Sequence, residues 1–459
     1  MSEPTALSLI PPIVVLVLAV WLRRPILALV IGAVAGLMMI SPTQALHSFA
    51  DISLKVMQDE TIGWLILVCG SFGALIALLV RTGGAQAFGR ASIKLAKGRR
   101  SSLLMTCVLG LVIFIDDYLN ALTVGETMKR VTDRFNVSRE MLAYIVDSTA
   151  APVCVLVPLS TWAVFFGGLL ENNGIAESGQ GISVYMSAIP YMFYAWLSVA
   201  LVLLVAAGVV PAIGPMRKAE MLARHGSAGA MHVGAFNPEH NSAMKAVDAE
   251  FEGADAAGGK LYNFLVPLLV LVGFTLYFDI DVWMGMLATL VLIVPFYLVQ
   301  GLMPLADMLE QMMDGFKTMI PAIGTVIAAF IFKEVCDQLH LSLFVVESLK
   351  PYMTAHLLPA MVFLSMAVLA FATGSSWGIF AVTIPIVMPL AFALNANIPL
   401  VIGALMSASA FGSQACFYSD STVLAAQGSG CNLISHAITQ LPYALIAAGL
   451  TFVGFILIA

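Results

Sequence analysis

Apolar residues run along this chain in unbroken blocks, at 61–80, 261–278 and 441–459 among others, each near the ~20 residues a helix needs to cross a hydrocarbon core. Barrel strands would be shorter and would alternate in polarity. The pattern predicts an all-α polytopic membrane protein. The first apolar stretch, 6–22, leads into Arg23 and Arg24 with no small-residue cleavage site, so it reads as the first span and not as a signal peptide.

The polar positions between the blocks set the expected topology. Lys and Arg collect in four places: Arg23 and Arg24; Arg81, Arg90, Lys94, Lys97, Arg99 and Arg100; Lys129, Arg130, Arg134 and Arg139; and five more within 214–260. Basic loops stay in the cytoplasm, so all four clusters are expected inside. The stretches 41–60 and 171–181, poor in Lys and Arg, are expected outside, as are both chain ends. The apolar segment 101–128 then has cytoplasmic residues at both ends. A re-entrant hairpin satisfies this, with its tip at 115–120 (Ile-Asp-Asp-Tyr-Leu-Asn). Two short spans or one long one are the alternatives. Irregular backbone at membrane depth is tolerated where protein buries it or where it lines a cavity, which suits an acidic tip.

The next segment, 141–170, carries Asp147, Ser148, Thr149, Pro152 and Pro158, and is expected to be a broken helix. A similar plan follows in the second half. At a shift of 261 residues Ser148 aligns with Ser409, Ser160 with Ser421 and Thr161 with Thr422. A second hairpin is expected over 357–395, its tip the polar run Thr373-Gly-Ser-Ser-Trp-Gly378, and a second broken helix over 398–427. If the first half begins outside and ends inside, the halves are inverted. The fold expected is two inverted repeats, 1–213 and 261–459. Each has about five spans plus a hairpin and a broken helix, an arrangement that places a transport site at the midplane. The solvated stretch 214–260, with three histidines, reads as a cytoplasmic linker.

Composition narrows the function. Hydrophobic residues make up 60% of the 459 and charged residues 10%, against about 25% charged in soluble domains; a soluble enzyme is excluded. The six cysteines follow no disulfide or metal-binding spacing. No G-x-x-x-x-G-K-[ST] loop is present, which argues against an ATP-driven pump. No Ser/His/Asp or His/Cys metal constellation stands out, and no resident cofactor or nucleic-acid partner is expected.

What charge remains inside the spans is the candidate chemistry. From residue 351 onward Asp420 is the lone Asp, Glu, Lys or Arg, and an ionisable group inside a span points to function by default. The first-half counterparts are Asp116 and Asp117 at the hairpin tip and Asp147 in the broken helix. Around them stand Asn120, Ser148, Thr149, Ser375, Ser376, Ser413, Ser419, Ser421 and Thr422. Such oxygens suit a hard cation such as Na⁺, with Asp117, Asp147 and Asp420 as its expected ligands. A carboxylate shielded from water also holds a proton more readily, so the same oxygens can take Na⁺ or H⁺ in competition. The plainer readings are that Asp116 or Asp117 caps a helix, that Asp147 accepts a bond from a neighbouring span, and that the serines allow close helix packing.

The stretches FIDDYLNALTVG (114–125), VTDRFNVS (131–138), LAYIVDSTAAPVCVLVP (142–158) and FYSDSTVL (417–424) resemble the NhaC family of Na⁺/H⁺ antiporters, within the wider ion-transporter superfamily. The resemblance implies inverted repeats, an elevator-like or rocking motion, and ion or substrate roles for Asp116, Asp117, Asn120, Asp147, Ser148, Ser419, Asp420 and Thr422. It carries a homodimer as an expectation. One departure stands out: many members have a carboxylate where this chain has Ser413 and a proline where it has Phe417. That departure keeps a second reading open, a Na⁺- or H⁺-coupled transporter of an amino acid or small organic acid.

Overall fold

The computed structural model describes residues 5–22, 24–84, 87–88, 91, 96–114, 116–224, 259–279, 281–349, 354–374 and 378–459. The described elements are helices. A 3₁₀ turn (Ala6–Leu9) leads into α1 (Ile10–Leu22), α2 (Pro25–Ile40), α3 (Ala45–Met57) and α4 (Glu60–Arg81). Next come α5 (Arg99–Val112), α6 (Asp117–Arg134), α7 (Arg139–Thr149), α8 (Ala151–Leu156) and α9 (Thr161–Asn172). After these lie α10 (Gly181–Ala188), α11 (Phe193–Ala206) and α12 (Gly214–Arg224). Then follow α13 (Tyr262–Tyr277), α14 (Val282–Val299), α15 (Leu305–Gln338) and α16 (Leu341–Leu349). The chain closes with α17 (Leu358–Thr373), α18 (Gly378–Ala393), α19 (Ile398–Ala415), α20 (Asp420–Ser429) and α21 (Leu433–Ile458).

Five of these helices are long and apolar enough to cross a membrane, or seven if each sharply bent pair counts as one span. The count falls below that expected from the apolar blocks because several blocks are divided. The run 358–393, for instance, forms two 16-residue helices on either side of Gly374, whose φ of 69° lies in the left-handed region. Burial separates the spans. In α19 89% of the apolar window is inside the protein, whereas α14 and α21 each bury 33% and turn Val291, Leu450 and Leu457 outward. The outward apolar faces fit lipid, and α19 is the central post.

The breaks follow from local chemistry. Pro152 sits in the first turn of α8, where its missing N–H is harmless but cannot continue α7. Between α8 and α9 the axis bends by 41°. There Ser160 caps α9, its Oγ accepting from Ala163 N and donating to the Cys154 carbonyl at 2.6 Å. The α19–α20 break repeats the device. Ser419 caps α20, accepting from Thr422 N and donating to the Ser413 carbonyl. In both cases the cap serine reaches a carbonyl six residues back. The two breaks are related by 259 residues (419 − 160 and 413 − 154), two fewer than the shift read from letter matching.

Helices α5 and α6 lie antiparallel. At their open end Arg99 Nη1 donates to the Asn136 carbonyl at 2.8 Å. At their joined end Asn120 Nδ2 bonds the Gly110 and Ile113 carbonyls. The open end also gathers three of the basic clusters. Glu220 on α12 is buried, pairs with Arg99, and accepts from Ser138 N at 2.9 Å and Ser138 Oγ at 2.7 Å. Arg139 pairs with Asp133 at 3.0 Å.

Close helix contacts are made through glycine. A methyl group on Gly125 of α6 would lie 2.6 Å from the Gly428 carbonyl carbon of α20. On α4 and α15, Gly73 and Gly315 bring backbone against backbone in the same way. Small residues are what let membrane helices approach this closely.

Candidate functional site

Two buried polar clusters form where the breaks meet the tip of the α5–α6 pair. In the first, Asp116 and Asp117 open α6. Asp116 is its N-cap: Oδ1 accepts from Leu119 N at 2.9 Å and Oδ2 from Thr161 Oγ1 at 3.0 Å. It thus fills the capping role that the plainer reading assigned to one of the pair. Asp117 is fully buried, and among the described residues neither of its oxygens accepts a hydrogen bond of ordinary geometry. The indole of Trp162 lies alongside it, and Asp116 and Asp420 are within electrostatic reach. Asp420, first residue of α20, accepts from Tyr118 OH at 2.5 Å on Oδ2 and from Ser421 N at 2.9 Å on Oδ1. Cys69 of α4 and Cys154 of α8 border this cluster.

The second cluster centres on Asp147, which is fully buried at the end of α7. Its Oδ2 is met by Thr422 Oγ1 at 3.2 Å, His436 Nε2 at 3.2 Å and Gln440 Nε2 at 2.6 Å. Its Oδ1 has no hydrogen-bond partner among the described residues. Gln440 also donates to the Gln414 carbonyl. The Gln414 side chain accepts from Tyr194 OH at 2.6 Å and Ser198 Oγ at 2.8 Å, and donates to Ser148 Oγ at 2.5 Å.

Hydroxyls join the clusters. Ser419, Ser421 and Thr422 all donate to the Ser413 carbonyl at the end of α19, and Ser413 Oγ lies 2.5 Å from Ser421 Oγ. A carbonyl freed by a helix end needs donors, and the serines and threonine expected to face a ligand supply them. Asp420 and Asp147 feel one another electrostatically across this strap.

The expected site residues therefore fall into several places. Asp117 and Asp420 come together; Asp147, Ser148 and Thr422 form the neighbouring cluster. Among the described residues no three His, Cys, Asp or Glu side chains converge as a metal centre would require, so the three expected Na⁺ ligands stand as a pair and a neighbour. Asn120 is a strut: its Nδ2 bonds the Gly110, Ile113 and Thr149 carbonyls at 2.7–2.9 Å. The Thr149 hydroxyl turns back to the Ile145 carbonyl of its own helix. Ser375 and Ser376 lie outside the described residues. Reading the sequence missed Tyr118, His436, Gln440, Gln414 and Tyr194. His436 and Gln440, four apart on α21, share a helix face.

The profile of the Na⁺/H⁺ antiporter family matches residues 153–459, a stretch that contains Asp420 and begins beyond Asp147. An uncharacterized protein of Haemophilus influenzae is 29% identical to this chain in an alignment covering 98% of it and 90% of that protein. With two thirds of its length under the family profile, and apolar helices long enough to cross a membrane several times, the chain belongs to the Na⁺/H⁺ antiporter family of membrane transporters.

Proposed function

We propose that the chain exchanges Na⁺ for H⁺ across the inner membrane by alternating access, as an NhaC-type member of the family, with Asp117, Asp420 and Asp147 supplying the oxygens that hold either ion. Asp117 carries the reading. A fully buried carboxylate that meets little more than the Trp162 indole, with a second carboxylate nearby, is an arrangement that a stable interior avoids. A cation bridging the pair, or a proton on one member, relieves it. The hydroxyls of Ser413, Ser421 and Thr422 add neutral oxygens that suit a hard ion.

The recurring break supports two inverted repeats, each with a hairpin and a broken helix. Basic clusters gathered at one end support that end as cytoplasmic. Both chain termini then lie on the opposite face.

The test is purified protein in proteoliposomes with an internal pH dye and an acid-loaded lumen. Na⁺ or Li⁺ added outside alkalinises the lumen if the reading is right. A lumen that responds only when an amino acid or carboxylate is added would overturn it in favour of solute transport.

A further inference from the structure

Helix α12 commits one face to the protein and turns another outward. Met216, Glu220 and Ala223, spaced i, i+4, i+7, are buried, and the helix packs on α7 and α21. Glu220 is the one acid on α12, and both of its oxygens are engaged, by Arg99 and by Ser138. The outward face carries Arg217, Met221 and Arg224 at the same spacing, with Lys218 beside them, and all four are exposed. Arg217, Lys218 and Arg224 form no ion pair among the described residues.

Two neighbours extend this face. Arg224 is within electrostatic reach of Arg99, so two guanidiniums stand near a single carboxylate that is already occupied. Arg100, exposed and also outside any ion pair among the described residues, lies against the turn that follows α11: a methyl group on Gly208 would come within 2.8 Å of its Nε. On either side of that turn Leu204 and Val209 face outward, 43% and 69% exposed. Guanidinium forks match phosphate oxygens, and basic side chains beside a charged leaflet are drawn to its headgroups. A free phosphate would use the arginines alone. The outward apolar side chains of Leu204, Val209 and Met221 favour a phosphate that carries acyl chains.

We propose that Arg100, Arg217 and Arg224, with Lys218, bind the phosphate headgroup of an anionic phospholipid where α12 meets the membrane, with Met221 and Val209 against its acyl chains. The site stands apart from the buried aspartates and does not depend on the exchange reading.

The experiment follows the melting temperature of the purified full chain in an uncharged detergent. Phosphatidylglycerol is the probe, phosphatidylcholine the comparison without net charge, and glycerol phosphate the headgroup without acyl chains. Phosphatidylglycerol raises the melting temperature and the other two do not. Arg217→Gln with Arg224→Gln raises the phosphatidylglycerol concentration for half-maximal stabilisation about thirtyfold, and leaves the melting temperature without added lipid unchanged. Arg81→Gln with Arg134→Gln, the same loss of charge at exposed positions elsewhere, leaves the lipid dependence as in the parent. Equal stabilisation by phosphatidylcholine overturns the headgroup site, and equal stabilisation by glycerol phosphate overturns the lipid as its occupant. An equal loss in the Arg81 and Arg134 variant reduces the effect to diffuse attraction and overturns the site. Independently, the fluorescence of Met221→Trp is quenched in vesicles of brominated phosphatidylglycerol; a tryptophan as bright there as in unbrominated vesicles overturns the acyl-chain contact.

Discussion

The phenol of Tyr118 donates to Oδ2 of Asp420 across 302 residues of sequence, joining the first turn of α6 to the first turn of α20. Both side chains are buried. Replacing Tyr118 with Phe leaves that oxygen without its donor, which costs about 1–3 kcal/mol. Thermal unfolding in detergent should shift down accordingly in Na⁺-free buffer. Saturating Na⁺ should recover part of the loss, because a ligand of the folded state stabilises it.

Asp117→Asn is expected to separate stability from activity. The substitution replaces a fully buried carboxyl that is costly to ionise near Asp116 and Asp420, so the protein should melt at or above the parent temperature while Na⁺-dependent proton flux is lost. Parallel melting and proteoliposome assays check it. A variant that exchanges normally would take Asp117 out of the ion path.

Asn120→Asp distinguishes a strut from a ligand. It keeps a side-chain oxygen but loses the N–H groups that hold the Gly110, Ile113 and Thr149 carbonyls. Its yield of monodisperse protein should fall as far as that of Asn120→Ala, a loss of about 3 kcal/mol for the orphaned carbonyls. Size-exclusion profiles of the two variants suffice. Asp behaving like Asn would restore a ligand role.

Gly125→Ala drives a methyl into the Gly428 backbone, which cannot rotate away as a side chain would. A destabilisation of at least about 2 kcal/mol is expected, read as a lower melting temperature. Gly168→Ala, where a methyl meets nothing within 4 Å, is the control.

Lys97 and Asn136 are exposed on either side of the open end of the α5–α6 pair. Single cysteines at these positions should both react with an impermeant maleimide from one membrane face, and only that face. Labelling from opposite faces would make 101–128 a spanning segment.

Much of this site was visible in the sequence, for a physical reason. Asp117, Asp147 and Asp420 stand out because charge is rare in a span, and the breaks because proline and serine interrupt helices locally. Tyr118, His436, Gln440 and Gln414 did not stand out. None of them is an Asp, Glu, Lys or Arg, and each acquires its role from a partner more than 200 residues away. Letter matching sets the two breaks 261 residues apart while their cap serines correspond at 259, because runs of Ser, Thr and Ala match one another at several offsets. A cap hydroxyl can reach only one carbonyl, so the hydrogen bonds decide what the letters leave degenerate.

The backbone contact between Gly125 and Gly428 has a mechanical consequence. Two helices touching at their peptide groups have no side-chain layer in which to slide, and Tyr118 and Asp420 pin them a second time near the tip. The arm carrying Asp117 and the helix carrying Asp420 are thus joined at two places. On the exchange reading, a motion that turns one carboxylate toward a face of the membrane would carry the other with it.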